Sequence, residues 1–324
     1  MDDWRSAASL AMLRQRAALL AAIREFFAAR GVLEVETPVL SATANTDPAL
    51  ESFSTRYHGP GGGALYLNTS PEFAMKRLLA AGSGDIYQLA RVFRDGEAGR
   101  YHNPEFTLLE WYRLGLDHHA LMDEAAALVA TLLPGRGPVQ RLSYRAVFRE
   151  YLGVDDVHQA PVDELRRVAA AVEIHPPPGL DDAGLDGWRD LLLSHRIIPQ
   201  LGGGGRITFL YDYPASQAAL ARLRDEGEYR VAERFELFLD GVELANGFHE
   251  LTDADEQARR FKNDNRLRRA RGLPELPVDR RLLAALEAGL PACSGVALGL
   301  DRLLMVGAGA ECLDEVLTFP VARA

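Results

Sequence analysis

Apolar residues recur at three- and four-residue steps over 8–30 (Leu10, Leu13, Ala17, Leu20, Ile23, Phe27), which predicts an amphipathic helix stopped by Gly31. Residues 32–35 then read as a strand, ended by Thr37-Pro38. GPGGG at 59–63 is a loop, and 65–68 a returning strand. Ser70-Pro71-Glu72 opens a helix running through Met75, Leu78 and Leu79 towards Gly82. Ser suits the cap, Pro the first helical position and Glu the first turn. From Ile86 the period becomes two. Tyr87, Leu89, Arg91 and Phe93 fall on one face, and Gln88, Ala90, Val92 and Arg94 on the other. Phe106, Leu108, Glu110 and Tyr112 share a face of a second strand. Between the two strands lies a polar tip carrying Asp95, Glu97, Arg100, His102 and Asn103, too hydrophilic and Gly-interrupted to be core.

Over 117–200 the pattern is helical at 121–133, 162–172 and 187–195, broken by GRGP and HPPPG; no chemistry is expected there. His118-His119 has no third ligand nearby in sequence, which argues against a metal site. The glycines at 202–205 read as a connector. Strands return at 207–211 and 231–239, and Asp240-Gly241 predicts a tight primed turn. The following stretch, VELANGFHE, places Glu243 and Glu250 seven apart, on opposite faces of a regular strand. They reach one site only if the strand bulges or ends between them, and Gly247 is the expected place. A charged helix over 252–271, capped by Asp253 with Glu256 three later, looks like a solvated face; a further helix spans 279–288. Finally, the small-residue strand from Ser294 meets a helix at Gly299, with Arg302 one turn into it.

Composition changes this picture little. The 324 residues are 48% hydrophobic and 25% charged, ordinary for a globular chain with a sizeable core. No apolar run is long enough for a membrane span, and the acidic, arginine-broken N-terminus does not read as a leader. Cys293 and Cys312 form no metal spacing, which suits reduced thiols in the cytoplasm. A net charge of −10 argues against a broad nucleic-acid surface. Lys76 and Lys262 are the only lysines. No G-x-x-x-x-G-K-[ST], H-E-x-x-H or G-x-S-x-G occurs, so nucleotide binding by the common parallel-sheet folds is not indicated.

Three segments in order carry a family resemblance. FRDGEAGRYHNPEFT resembles motif 2 of the class II aminoacyl-tRNA synthetases, in its lysyl form. The helix–Gly–strand–Pro run at about 14–40 resembles motif 1, and GVALGLDRL resembles motif 3; motifs 2 and 3 fall at about 86–113 and 294–306. The resemblance implies an α+β fold, an antiparallel sheet flanked by helices, as one catalytic domain over 1–324. It further implies a homodimer through motif 1, ATP and Mg2+, and amino-acid activation as an adenylate.

It also implies residue roles. Arg94 would bridge the α-phosphate and the incoming carboxylate, and Phe106 and Arg302 would sandwich adenine. Asp95, Gly96, Glu97, Asn103, Leu244 and Gly299 complete the expected ATP site, with Glu243 and Glu250 holding magnesium. A solvent-exposed acidic hairpin is the alternative for that pair. Ser70, Pro71, Glu72, Tyr112, Asn246, Glu250 and Ala297 would bind the amino acid. Gly96 departs from the family, which has Glu there, so Glu97 or the Gly96 backbone is expected to take over adenine recognition.

Lysyl-tRNA synthetases carry an anticodon-reading barrel ahead of the core, for which this sequence leaves no room. The chain therefore resembles the stand-alone lysyl-type paralogues that attach (R)-β-lysine to a lysine side chain of translation elongation factor P, without tRNA or membrane. Ala297, where lysyl enzymes commonly have Gly, would crowd an α-amine and favour a β-amine. Activation of α-lysine for a tRNA or another amine, and a non-catalytic binding paralogue, are the competing readings.

Overall fold

A computed structural model of the chain describes residues 4–324; Met1, Asp2 and Asp3, which open the stretch read as no leader, lie outside the described residues. The described residues cluster into two compact units, the first running to Asp117 and resuming over Glu250–Ala324, the second His118–His249.

The first unit opens with α1 (Leu10–Ala28), whose cap Ser9 accepts a hydrogen bond from Met12 N at 3.1 Å. Leu19, Ile23, Phe26 and Phe27 form its buried stripe. Phe27 stacks on Tyr87 at 4.4 Å and meets Trp111 edge-on at 5.5 Å, docking the helix on the sheet. The strand β1 (Leu33–Glu34) pairs parallel with β5 (Ile86–Phe93). A small antiparallel sheet is built from β2 (Leu40–Ser41), β3 (Ser54–Tyr57) and β4 (Gly63–Leu67), ahead of α2 (Glu72–Ala80). The hairpin expected at 86–113 is β5 with β6 (Glu105–Leu114), antiparallel.

In the second unit, α3 (His118–Leu132), β7 (Val139–Ser143), α4 (Tyr144–Leu152), α5 (Val162–Ala171) and α6 (Gly184–Leu192) precede β8 (Ile207–Pro214), β9 (Leu223–Glu226), β10 (Tyr229–Leu239) and β11 (Val242–His249). The sheet order is β11–β10–β8–β7, with β9 also on β10; only β7 runs parallel to its neighbour. The helices left without a role build this unit's core, where Tyr144, Phe148, Leu165, Leu192 and Ile197 pack with Leu210 and Phe238. The sequence reading omitted β7 and α4. The first is a short edge strand beside GRGP; the second has its own signals, the cap Ser143 and Gly153 at φ 68°.

Asp240 and Gly241 both take positive φ (51° and 75°), the primed turn expected of them. The bulge in β11 is not at Gly247. Leu237 pairs with Ala245 and Phe238 with Glu243, so the extra residue is Leu244, beside the tight turn. The count shifts by one there, and Glu243 and Asn246 share a face.

The chain re-enters the first unit with α7 (Ala254–Ala270) and α8 (Arg280–Gly289), capped by Asp253 and Asp279. The charges of α7 are not all solvated: Arg268 is fully buried, donating to Glu51 Oε1 and Pro274 O, both at 2.8 Å. Then β12 (Cys293–Gly299) pairs antiparallel with β6, giving the order β1–β5–β6–β12, and α9 (Leu300–Ala308) follows at once. No described helix is long and apolar enough to cross a membrane.

Candidate active site

Strand register puts Phe106, Tyr112, Ala297 and Gly299, of the expected residues, on one sheet face. Val92 lies opposite Phe106, Ala90 opposite Leu108, and Ile86 opposite Tyr112. On the other edge of β6, Gly299, Ala297 and Gly295 lie opposite Leu108, Glu110 and Tyr112. Ala90, Val92 and Leu108, with Phe106 and Ala297 against them, make an apolar floor. A Cβ on Gly295 would lie 2.2 Å from the Tyr112 ring and 2.6 Å from Glu250 Oε1, so only glycine fits there.

The three motif segments are tied together by residues not anticipated from sequence. Asp301 is buried, accepting from Arg16 Nη1 at 2.5 Å and from Thr107 N at 2.7 Å, while Arg16 Nη2 donates to Thr107 Oγ1 at 2.8 Å. One carboxylate thus joins α1, β6 and α9. Its neighbour Arg302 donates through Nε to Tyr101 O at 3.1 Å and contacts His102 Nε2 at 2.8 Å, fastening the motif 2 loop to α9.

Arg94 stands at the mouth of that loop, 5.0 Å above the Phe106 ring and 3.5 Å from Glu97 Oε1. Its Nε is buried without a hydrogen-bond partner among the described residues, a donor left for an incoming anion. Asn103 has both amide ends engaged, donating to Glu105 O at 2.7 Å and accepting from Val321 N at 3.0 Å; it shapes the loop. Asp95 N donates to Glu51 O at 2.9 Å. Gly96 sits at φ 79°, a turn conformation that disfavours any residue with a Cβ.

The residues expected to bind the amino acid include an enclosed ionic cluster. Ser70 Oγ accepts from Glu72 N at 3.0 Å and donates to Glu110 Oε2 at 2.7 Å; Tyr112 Oη donates to Glu110 Oε1 at 2.7 Å. The expected cap is displaced by one residue: Pro71, not Ser70, is the cap of α2, which begins at Glu72, and Ser70 Oγ holds the Glu72 N–H from the turn before it. Lys76 Nζ lies 2.6 Å from both Glu72 Oε1 and Glu250 Oε2. Burial alone would lower the Lys76 ammonium, but Glu250 and Glu72 hold it above its ordinary value. Burial, then the charge of Glu72, pushes the Glu110 carboxyl up. Glu250 is likewise raised, chiefly by burial, against the pull of Lys76. Three carboxyls face one ammonium, so the cluster favours either retained protons or a further cation.

Neither Glu110 nor Lys76 was anticipated, though signals existed. Glu110 shares the strand face of Phe106 and Tyr112, and Lys76 is one of two lysines, one helical turn after Glu72. Of the pair expected to hold magnesium, Glu250 is here spent on Lys76. In the second unit, Asn246 Oδ1 accepts from Arg234 Nε at 3.1 Å, and Arg234 Nη2 donates to Glu236 Oε1 at 2.5 Å. Burial, and less strongly the charge of Glu243, raises Glu236; the register, with Glu236 opposite Asn246 and Phe238 opposite Glu243, puts Glu243 on this face. The expectation that His118 lacks further ligands is overturned, because the fold of the second unit brings Glu233 and His249 to it.

The family described as tRNA synthetases class II (D, K and N) matches residues 1–323. Among curated proteins, the elongation factor P–(R)-β-lysine ligase of Vibrio cholerae is 53% identical over 333 residues, covering 100% of this chain and 99% of that protein. Those of Yersinia enterocolitica and Proteus mirabilis are 51% and 52% identical, each covering 99% of this chain and 98% of theirs. The chain belongs to the class II tRNA synthetase family and, within it, to the group of the elongation factor P–(R)-β-lysine ligases.

Proposed function

We propose that the protein activates (R)-β-lysine with ATP and transfers it to a lysine side chain of translation elongation factor P. The carrying observation is the excess of carboxyl over ammonium, buried Glu110 and Glu250 and half-buried Glu72 against buried Lys76, beside Ala297 and Gly295. Such a cluster suits a diamino acid, whose ammonium groups would supply the missing positive charge.

In the first step the amino-acid carboxylate attacks the α-phosphorus and the bond to the pyrophosphate oxygen breaks. In the second, the acceptor amine attacks the acyl carbon, AMP leaves with the bonding pair, and the amine gives up a proton. Both steps need positioning and charge neutralisation more than a protein nucleophile. Arg94, with its unpartnered Nε, is assigned to the α-phosphate and carboxylate; Phe106 and Arg302 to adenine; Gly299 to close backbone approach. Asp95, Gly96 and Glu97 shape the ATP loop, and Tyr112 orients Glu110. Magnesium, when bound, would neutralise phosphate oxygens; Glu243, half-buried on its strand, is the hard oxygen donor proposed for it, with Asn246 as a polar neighbour. Glu250 is assigned to the amino acid, because its carboxylate already faces an ammonium.

A homodimer through motif 1 is part of this reading. Leu33 and Leu40 are 55% and 44% exposed, apolar residues on the segment that resembles motif 1, and Leu10, 73% exposed, lies just ahead of it. Residence in the cytoplasm and a protein acceptor in place of tRNA complete the proposal; the net charge of −10 favours the latter. The test incubates the full chain with ATP, magnesium, (R)-β-lysine and elongation factor P and follows the factor's intact mass. A gain of one β-lysyl group is expected. An unchanged mass with an active adenylation step would overturn the acceptor.

A further inference from the structure

The second unit holds a cluster that neither ATP nor an amino acid explains. His118, at the start of α3, is 2% exposed, yet neither ring nitrogen has a hydrogen-bond partner among the described residues. Glu233 of β10 and His249 of β11 meet it, one ligand atom from each lying within 4.8 Å of the others. His249 Nδ1 is 2.8 Å from Glu233 Oε2, but neither atom achieves hydrogen-bond geometry. Asp212 Oδ1, 3.7 Å from His118 Nε2, is buried and equally unpartnered. A buried polar atom without a partner costs roughly 1–3 kcal/mol, and His118, Glu233 and His249 each bring at least one such atom to the same small volume, which calls for an occupant.

We propose that His118, Glu233 and His249 form a zinc-class transition-metal site, with Asp212 in reach as a fourth donor. Two imidazoles and one or two carboxylates are the donor set such a cation takes tetrahedrally, whereas magnesium avoids imidazole. Ligand separations in a tetrahedral site at about 2.0–2.1 Å from the metal are a little over 3 Å. His249 Nδ1 and Glu233 Oε2 stand 2.8 Å apart and the ligand atom of His118 lies within 4.8 Å of both residues' ligand atoms, so side-chain rotation brings the three to that spacing. The second carboxylate oxygens are already oriented from outside: Arg224 Nη2 lies 2.8 Å from Asp212 Oδ2 and Arg224 Nε 3.7 Å from Glu233 Oε1. Arg222 contacts His249 Nε2 at 3.4 Å and Glu233 Oε2 at 3.7 Å. With metal on Nδ1, Nε2 keeps the ring proton, so this half-exposed guanidinium swings away. The ion fastens the start of α3 to the end of β11, the strand that carries Glu243 and Asn246.

The test uses cobalt(II) as probe on the chelator-treated full chain with magnesium in excess. One equivalent per chain is expected to bind with the visible absorption of a tetrahedral nitrogen–oxygen site, and zinc to displace it. Glu233→Gln and His249→Ala should each lose the band, while His175→Ala, at an exposed histidine elsewhere, keeps it. Should a ligand variant fail to fold, protection of the partly exposed His249 from imidazole acylation by zinc in the wild-type chain replaces it. No stoichiometric binding, a band surviving in both ligand variants, or no protection would overturn the site.

Discussion

Lys76 Nζ lies 2.6 Å from Glu250 Oε2, with both side chains almost wholly out of water. Removing one partner of a buried pair leaves the other charge uncompensated, which costs about 3–5 kcal/mol. Here Lys76→Met would also leave Glu72, Glu110 and Glu250 facing one another. Urea denaturation at about pH 9, above the folded value of about 8 for Glu250, should show a loss of that size; a change below about 1 kcal/mol would contradict the cluster.

Protonation gives this cluster a signature. Glu110 and Glu250 are raised above the ordinary Glu value, so the native state keeps protons that the unfolded chain has already released. Stability from these groups is therefore full below the unfolded value, about 4.5, and declines as pH rises through the folded values. Binding of a cationic amino acid runs the opposite way, strengthening as the carboxyls ionise. The KM for (R)-β-lysine should fall between about pH 6 and 8, and Glu110→Gln should flatten both trends. A KM that rises with pH would contradict the assignment.

Gly295→Ala places a methyl against Tyr112 and Glu250. Overpacking of this kind costs about 1–3 kcal/mol, and its first effect should be on amino-acid affinity. A variant with unchanged KM for the amino acid would move the binding site off this face.

Arg302→Ala removes both the expected adenine contact and the tie to Tyr101 and His102. Adenylate formation should drop by at least about 100-fold with far-UV circular dichroism unchanged, since loss of one preorganised charged donor has about that effect. Near-normal exchange would remove the motif 3 assignment.

Ala297 lies opposite Glu110 in the β6–β12 ladder, beside the carboxyl cluster. Ala297→Gly should relax preference for the β-amine over the α-amine by about 10- to 200-fold, the range of one methyl in a pocket. The ratio of kcat/KM for the two lysines measures it.

Local pattern made much of this legible. The alternation in 86–113 located β5 and β6, and the Asp240-Gly241 turn was plain from two residues. Contacts distant in sequence were not. Asp301 reads as a helix N-terminal acid until the fold brings Arg16, 285 residues away, against it. The Leu244 bulge depends on how the turn meets the opposite strand, so Gly247, the residue with the conformational freedom, drew the expectation instead. His118 shows the same limit: its neighbours Glu233 and His249 arrive on β10 and β11, more than a hundred residues later.

The most direct measurement is ATP–pyrophosphate exchange by the full chain with magnesium and a panel of (R)-β-lysine, (S)-β-lysine, α-lysine, aspartate and asparagine. Exchange strongest with (R)-β-lysine is the predicted result. Exchange strongest with α-lysine, or none with any of the five on folded protein, would contradict the account.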